Sequence, residues 1–248
     1  MRIDKLITLL VVIGLLQACV AVNPGPTKDE KASDVNTELG LGYYQQNNLE
    51  LANEKLLKAL RQNPDSVKAN YVYAVLQDRL DQKELAEHHY RKATKLDPKN
   101  SEAANNLGAF LCRNGREIES EKYFLQALKN PLYKTPEYAY TNAALCLLKI
   151  DQRAKGKEYL LQALAAKSDF APALLTISDV LFKESQHADA KIYLDRFHLV
   201  ARPSAKSLWL AIRNELELNA QGDIEELAQR LEADYPDSEE FKSWQKIR

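Results

Sequence analysis

Small residues recur in this chain at a fixed interval, and that interval limits what it can fold into. Gly40, Ala74 and Gly108 are spaced by 34; each is followed twelve positions later by Ala52, Ala86 or Ser120, and seven positions after that by Ala59, Ala93 or Ala127. Around them sit large apolar residues at helical spacing, among them Leu39 and Tyr43, Leu56, Tyr73, Tyr90, Leu107, Leu111 and Phe124. Asn47 and Asn48 supply a turn within the period, and Pro64 and Pro98 close it. The pattern reads as two short amphipathic helices per unit. Small side chains at facing positions let two helix axes approach until the larger neighbours interlock. One such hairpin cannot bury its own apolar face, so the units must stack.

A period of 34 with small residues at the eighth, twentieth and twenty-seventh positions resembles the tetratricopeptide (TPR) repeat. The expected fold is all-α, a right-handed TPR superhelix of about six helix-turn-helix repeats plus a C-terminal capping helix. Repeats are expected over residues 33–66, 67–100 and 101–134; the frame then slips at the stretch NPLYKTP and resumes over 137–170 and 171–204. A degenerate sixth repeat and a cap occupy 205–248. Composition agrees: glycine is sparse at 8 residues, and the formal net charge of −1 gives no bulk attraction to nucleic acid.

The N-terminus carries a different message. Arg2 and Lys5 precede an apolar run from Leu6 to Leu16, too short for a bilayer-spanning helix of roughly 20 residues and arranged like a secretory signal. The run ends in Leu16-Gln17-Ala18-Cys19, which resembles the lipobox of bacterial lipoproteins, with an ordinary secretory signal and a chance cysteine as the alternative. The resemblance implies a signal peptide over 1–18 and acylation of Cys19, with membrane attachment through the acyl chains. Val20 rather than aspartate after the cysteine implies, by the same resemblance, sorting to the outer membrane facing the periplasm. Residues 19–32, rich in proline, glycine and mixed charge, read as a flexible tether.

No catalytic constellation emerges. There is no nucleophile elbow, P-loop, zincin motif or zinc-spaced cysteine pair, so no cofactor, metal or small-molecule substrate is expected. Glu84 and His88 share a helix face without a third ligand. The surface left for function is the concave wall of the first helices, at positions two, five, six, nine, twelve and thirteen of each repeat. Leu41, Tyr44, Tyr71 and Val75 form an apolar patch there, and Asn105, Asn106, Thr141 and Asn142 follow. Those asparagines could bond the backbone of an extended peptide or bridge adjacent helices. Cys112 and Cys146 lie late in neighbouring first helices, placed either for a disulfide or as two buried thiols.

Three stretches carry a resemblance to the PilF/PilW family of type IV pilus biogenesis lipoproteins: the lipobox ending at Cys19, the run TELGLGYYQQNNLELANEKLLKAL, and above all residues 105–148, NNLGAFLCRNGREIESEKYFLQALKNPLYKTPEYAYTNAALCLL. Generic repeats do not require that last segment, which spans the frame break. The family implies a non-catalytic scaffold tethered to the outer membrane that helps secretin subunits localise there and assemble. An adaptor for another envelope-assembly system is the alternative reading, and a periplasmic enzyme a remote one.

Overall fold

The computed structural model describes residues 25–219 and 221–248, which form thirteen α-helices and, among the described residues, no strand. They run as pairs: α1 (Lys28–Gln45) with α2 (Leu49–Gln62), α3 (Val67–Arg79) with α4 (Lys83–Leu96), α5 (Ser101–Arg113) with α6 (Glu117–Leu128), α7 (Pro136–Lys149) with α8 (Arg153–Ala166), α9 (Ala171–Lys183) with α10 (His187–Val200), and α11 (Ala205–Glu217) with α12 (Gln221–Asp234). A short α13 (Glu239–Gln245) closes the array. Each helix packs on its partner and on the adjoining pair, and first helices of neighbouring pairs lie side by side. Contacts confined to nearest neighbours make the stack a right-handed TPR superhelix in which stability accumulates pair by pair.

The turn inside every pair is built alike. Asn47, Asp81, Gly115, Asp151, Ser185 and Asn219 all have positive φ, between 55° and 77°. Their spacing is 34 residues except across the step from 115 to 151, which is 36. Asn, Asp and Gly tolerate this left-handed conformation best, because a short polar side chain or none avoids the clash that other side chains meet there. Ser185 is the residue in the series with the weakest preference for it.

Close approach inside each pair explains the small residues. A Cβ added at Gly108 would stand 2.8 Å from the Phe124 ring, and one at Gly40 would stand 2.6 Å from Leu56 Cγ. Ala52, Ala59, Ala74, Ala86, Ala93 and Ala127 are likewise fully or almost fully buried. The two extra residues at the frame break are taken up between α6 and α7. There Tyr133 turns inward onto Ala104, Ala127 and Ala139, Asn130 Nδ2 donates to the Lys99 carbonyl at 3.1 Å, and Pro136 opens α7 at a position whose N–H has no helical partner.

Two expectations need correction. The tether does not extend to residue 32: α1 begins at Lys28, where the Thr27 hydroxyl accepts from Glu30 N–H while the Glu30 carboxylate accepts from Thr27 N–H, a reciprocal cap that starts the helix early. Leu39 is not a core residue; it is 46% exposed, whereas its counterparts Tyr73 and Leu107 are buried. That position packs on the preceding pair, and no described helix precedes α1.

Ion pairs stitch successive pairs together. Arg91 joins Glu87 and Glu119 at 2.7 Å each, and Arg116 reaches back to Glu87 at 2.6 Å. Burial alone would raise the Glu87 carboxyl, but hydrogen bonds from Arg91 and Arg116 outweigh it and hold the pKa below the usual carboxylate value. Farther along, Glu121 accepts from Tyr159 at 2.7 Å, Lys157 pairs with Glu184 at 2.6 Å, and Lys191 bridges Glu215 and Asp223.

Candidate functional site

The concave wall consists of α1, α3, α5, α7, α9 and α11. Over its first part Leu41, Tyr44, Tyr71 and Val75 are half-buried, packed on the cores beneath them. The Arg79 guanidinium lies 5.2 Å over the Tyr44 ring, so the aromatic face is already shielded on one side by a cation. Asn106 Nδ2 donates to the Tyr71 hydroxyl at 2.8 Å and to the Glu102 carbonyl at 3.0 Å. Asn142 Nδ2 donates to Asn105 Oδ1 at 3.1 Å. The two asparagines therefore tie neighbouring first helices together with their amide nitrogens. Their side-chain carbonyls take no partner among the described residues and remain available as acceptors. Thr141, 3% exposed, has a hydroxyl oxygen without a hydrogen-bond partner among the described residues.

Position thirteen of four successive first helices is basic: Arg79, Arg113, Lys149 and Lys183, all exposed. Arg113 pairs with Asp78, Lys149 donates to the Cys112 carbonyl at 3.3 Å, and Lys183 pairs with Asp179 at 2.6 Å. The row forms a cationic lip to the groove. It follows directly from the repeat, since residues at the same helical position of successive repeats must line up along the stack.

Two hollows on this wall lie farther along than the patch expected from the sequence. One of about 320 Å³ is lined by Leu145, Leu148, Lys149, Thr176, Asp179 and Lys183 among others. The next, about 440 Å³, shares Leu145, Thr176 and Asp179 with it and continues over Leu175, Trp209 and Arg213, with Lys206 at the rim and Glu240 of α13 at the end. Leu175 and Trp209 stand at position five and Leu145 and Arg213 at position nine of their repeats, the same positions that place Tyr71 and Val75. The signal was present in the sequence, but the sixth repeat lacks most of the small-residue signature, so its frame could not be carried forward with the others.

Cys19 lies outside the described residues. Cys112 and Cys146 face each other across α5 and α7, with Cα atoms 5.8 Å apart and the sulphurs paired as a disulfide. His89 serves packing: its Nδ1 lies 2.8 Å from Asn70 Oδ1 with its ring edge-on to Tyr73, and burial, helped by His88 and Lys92, lowers its pKa to about 4. Among the described residues no group of three or more His, Cys, Asp or Glu is placed to hold a metal, and no helix is long and apolar enough to cross a membrane.

A stack of helical hairpins with one continuous inner wall of exposed, interleaved apolar and hydrogen-bonding side chains defines a TPR protein of the kind that presents a groove to another molecule. Tetratricopeptide-repeat family models match residues 37–87 and 89–122. The type IV pilus assembly protein PilF of Pseudomonas aeruginosa is 30% identical over 249 residues, covering 99% of both chains. A solved structure of P. aeruginosa PilF superposes with a TM-score of 0.81 at 31% identity, covering 90% of this chain and all of that one. PilW, described as a widely conserved type IV pilus biogenesis factor, gives a TM-score of 0.77 at 30% identity over 85% of this chain and 97% of its own. The chain belongs to the PilF/PilW family of type IV pilus biogenesis TPR proteins.

Proposed function

We propose that this chain is a non-catalytic, lipid-anchored scaffold of type IV pilus assembly, which holds secretin subunits in its groove while acyl chains on Cys19 keep it at the periplasmic face of the outer membrane. The observation that carries the reading is the full-length similarity to PilF, combined with a concave wall whose unspent acceptors and half-buried apolar side chains suit an extended segment of another protein. Membrane affinity and client grip then reside in different parts of the molecule. Each buried methylene of an acyl chain contributes about 0.8 kcal/mol, with no help needed from the repeats. The grip belongs to the inner wall, where a partner displaces water from apolar surface and meets side-chain carbonyls already held in place by the helix-to-helix bonds of Asn106 and Asn142.

Separating the two functions tests the proposal. Cys19→Ala is expected to leave a folded protein in the wrong compartment, with secretin multimers reduced. Leu41→Glu with Tyr44→Glu is expected to leave a correctly placed, folded protein that no longer co-purifies with secretin subunits. Fractionation followed by electrophoresis of unheated secretin multimers reads both. Normal multimers in both variants would remove the tether-and-groove mechanism.

A further inference from the structure

The two hollows over α7, α9 and α11 are consecutive parts of one trough, since Leu145, Thr176 and Asp179 line both. Its floor is apolar, with Leu145 44% exposed and Leu175 and Trp209 half-buried. Its charge is unbalanced. Arg153 is paired with Asp151 at 2.7 Å and Lys183 with Asp179 at 2.6 Å. Lys206 and Arg213 flank Trp209 three residues before and four after it on one face of α11, and neither has a carboxylate within ion-pair distance among the described residues. The Arg213 guanidinium is held 4.4 Å over the Phe182 ring, which orients it while leaving its charge unpaired. Lys149 adds a third cation whose protein partner is a carbonyl, and Glu240 is the one carboxylate on the trough that makes no ion pair among the described residues. In a chain of net charge −1, this is a local excess of positive charge beside apolar surface.

We propose that the trough over α7, α9 and α11 is a docking site for an extended acidic segment of a partner protein, with apolar side chains on Leu145, Leu175 and Trp209 and carboxylates on Lys206 and Arg213. The assignment rests on the reading of the groove as the client-holding surface and names the chemistry of what it holds there. Three neighbouring first helices at about 8–10 Å between axes span roughly 20 Å, the reach of about six extended residues at roughly 3.3 Å each. An extended strand turns alternate side chains to opposite sides, so apolar residues meet the floor while the intervening acidic ones reach the cationic rim. A basic segment would leave Lys206 and Arg213 unpaired beside a like charge, which excludes it more strongly than a missing attraction would.

The chain contains two tryptophans, Trp209 and Trp244, and Trp244, on α13, is buried at 9% exposure against α11 and α12. A full-length Trp244→Phe protein therefore carries Trp209 as its sole tryptophan reporter in the trough. Titrated with a synthetic peptide of about eight residues alternating leucine with aspartate, Trp209 emission is expected to shift saturably; with lysine in place of aspartate it should not. Lys206→Glu with Arg213→Glu should weaken the acidic peptide about tenfold or more, as two reversed pairs require, and should turn the preference toward the lysine peptide. Equal binding of both peptides, an affinity indifferent to charge reversal, or the same shift from anionic lipid vesicles without peptide would overturn the assignment. The Leu41→Glu, Tyr44→Glu protein separates the two readings. If the acidic peptide fails to bind while that variant still loses its secretin partner, the groove reading stands and the acidic trough falls.

Discussion

At the scale of single residues, the repeat is a record of how near two helices come. Gly40 and Gly42 lie two apart on α1 and would respond oppositely to a methyl group. At Gly42 a Cβ meets nothing within 4 Å, so Gly42→Ala should stabilise the protein by about 0.5–1 kcal/mol through lost chain entropy in the unfolded state. At Gly40 the same atom would press on Leu56 Cγ at 2.6 Å, in a fully buried side chain with the Ala52 carbonyl close behind. Overpacking of that kind costs about 1–3 kcal/mol, more than the helix-propensity gain, so Gly40→Ala should destabilise. Urea unfolding of both variants measures the contrast; equal shifts of the same sign would contradict the packing argument. The sequence exposed Gly40 by its place in the period, and the same reasoning identified the aromatic and leucine core. Nothing in the sequence showed that Leu39, at an equally regular position, would be left half-exposed where no described helix precedes α1.

At the scale of elements, neighbouring first helices are joined by three kinds of link: the Asn106–Tyr71 and Asn142–Asn105 hydrogen bonds, ion pairs such as Arg113–Asp78, and the Cys112–Cys146 pairing. The last closes a loop of 34 residues between α5 and α7. We propose that it forms in the mature protein, and chain-entropy arguments give it about 3–4 kcal/mol. Thiol labelling of denatured, non-reduced protein should then find neither cysteine free, and a reductant should lower the urea midpoint by an amount that Cys112→Ala with Cys146→Ala reproduces. Two reactive thiols would dispose of the bridge. The sequence left open whether the groove asparagines serve a ligand or the scaffold. The structure divides Asn106 and Asn142 between the two, with the nitrogen bonded to the preceding first helix and the oxygen without a partner among the described residues, whereas the Asn105 oxygen is taken up by Asn142. Only the spacing of helix axes could settle that, because the same Asn at the same position would be free on an isolated helix.

For the whole molecule, nearest-neighbour packing means that damage should stay local. Phe241 and Trp244 of α13 cover Leu208, Ile212 and Leu231, so Trp244→Ala should cost about 3–5 kcal/mol in the last pair. Hydrogen exchange should rise in α11 and α12 while α1 to α4 keep their protection; uniform loss along the array would mean that the stack unfolds as one unit instead. What the sequence by itself determined is the repeat: a 34-residue interval of small residues can be satisfied only by interlocked helix pairs, and a bulky residue at any of those places would separate the axes. What only the tertiary structure decided is where along the inner wall the trough lies and which charges there go unpaired. Leu145, Leu175 and Trp209 come from three different pairs, and the cations beside them lack counter-ions because of how α7, α9 and α11 are set against one another. No spacing read along one chain contains that arrangement, since it arises from the packing of helices far apart in sequence.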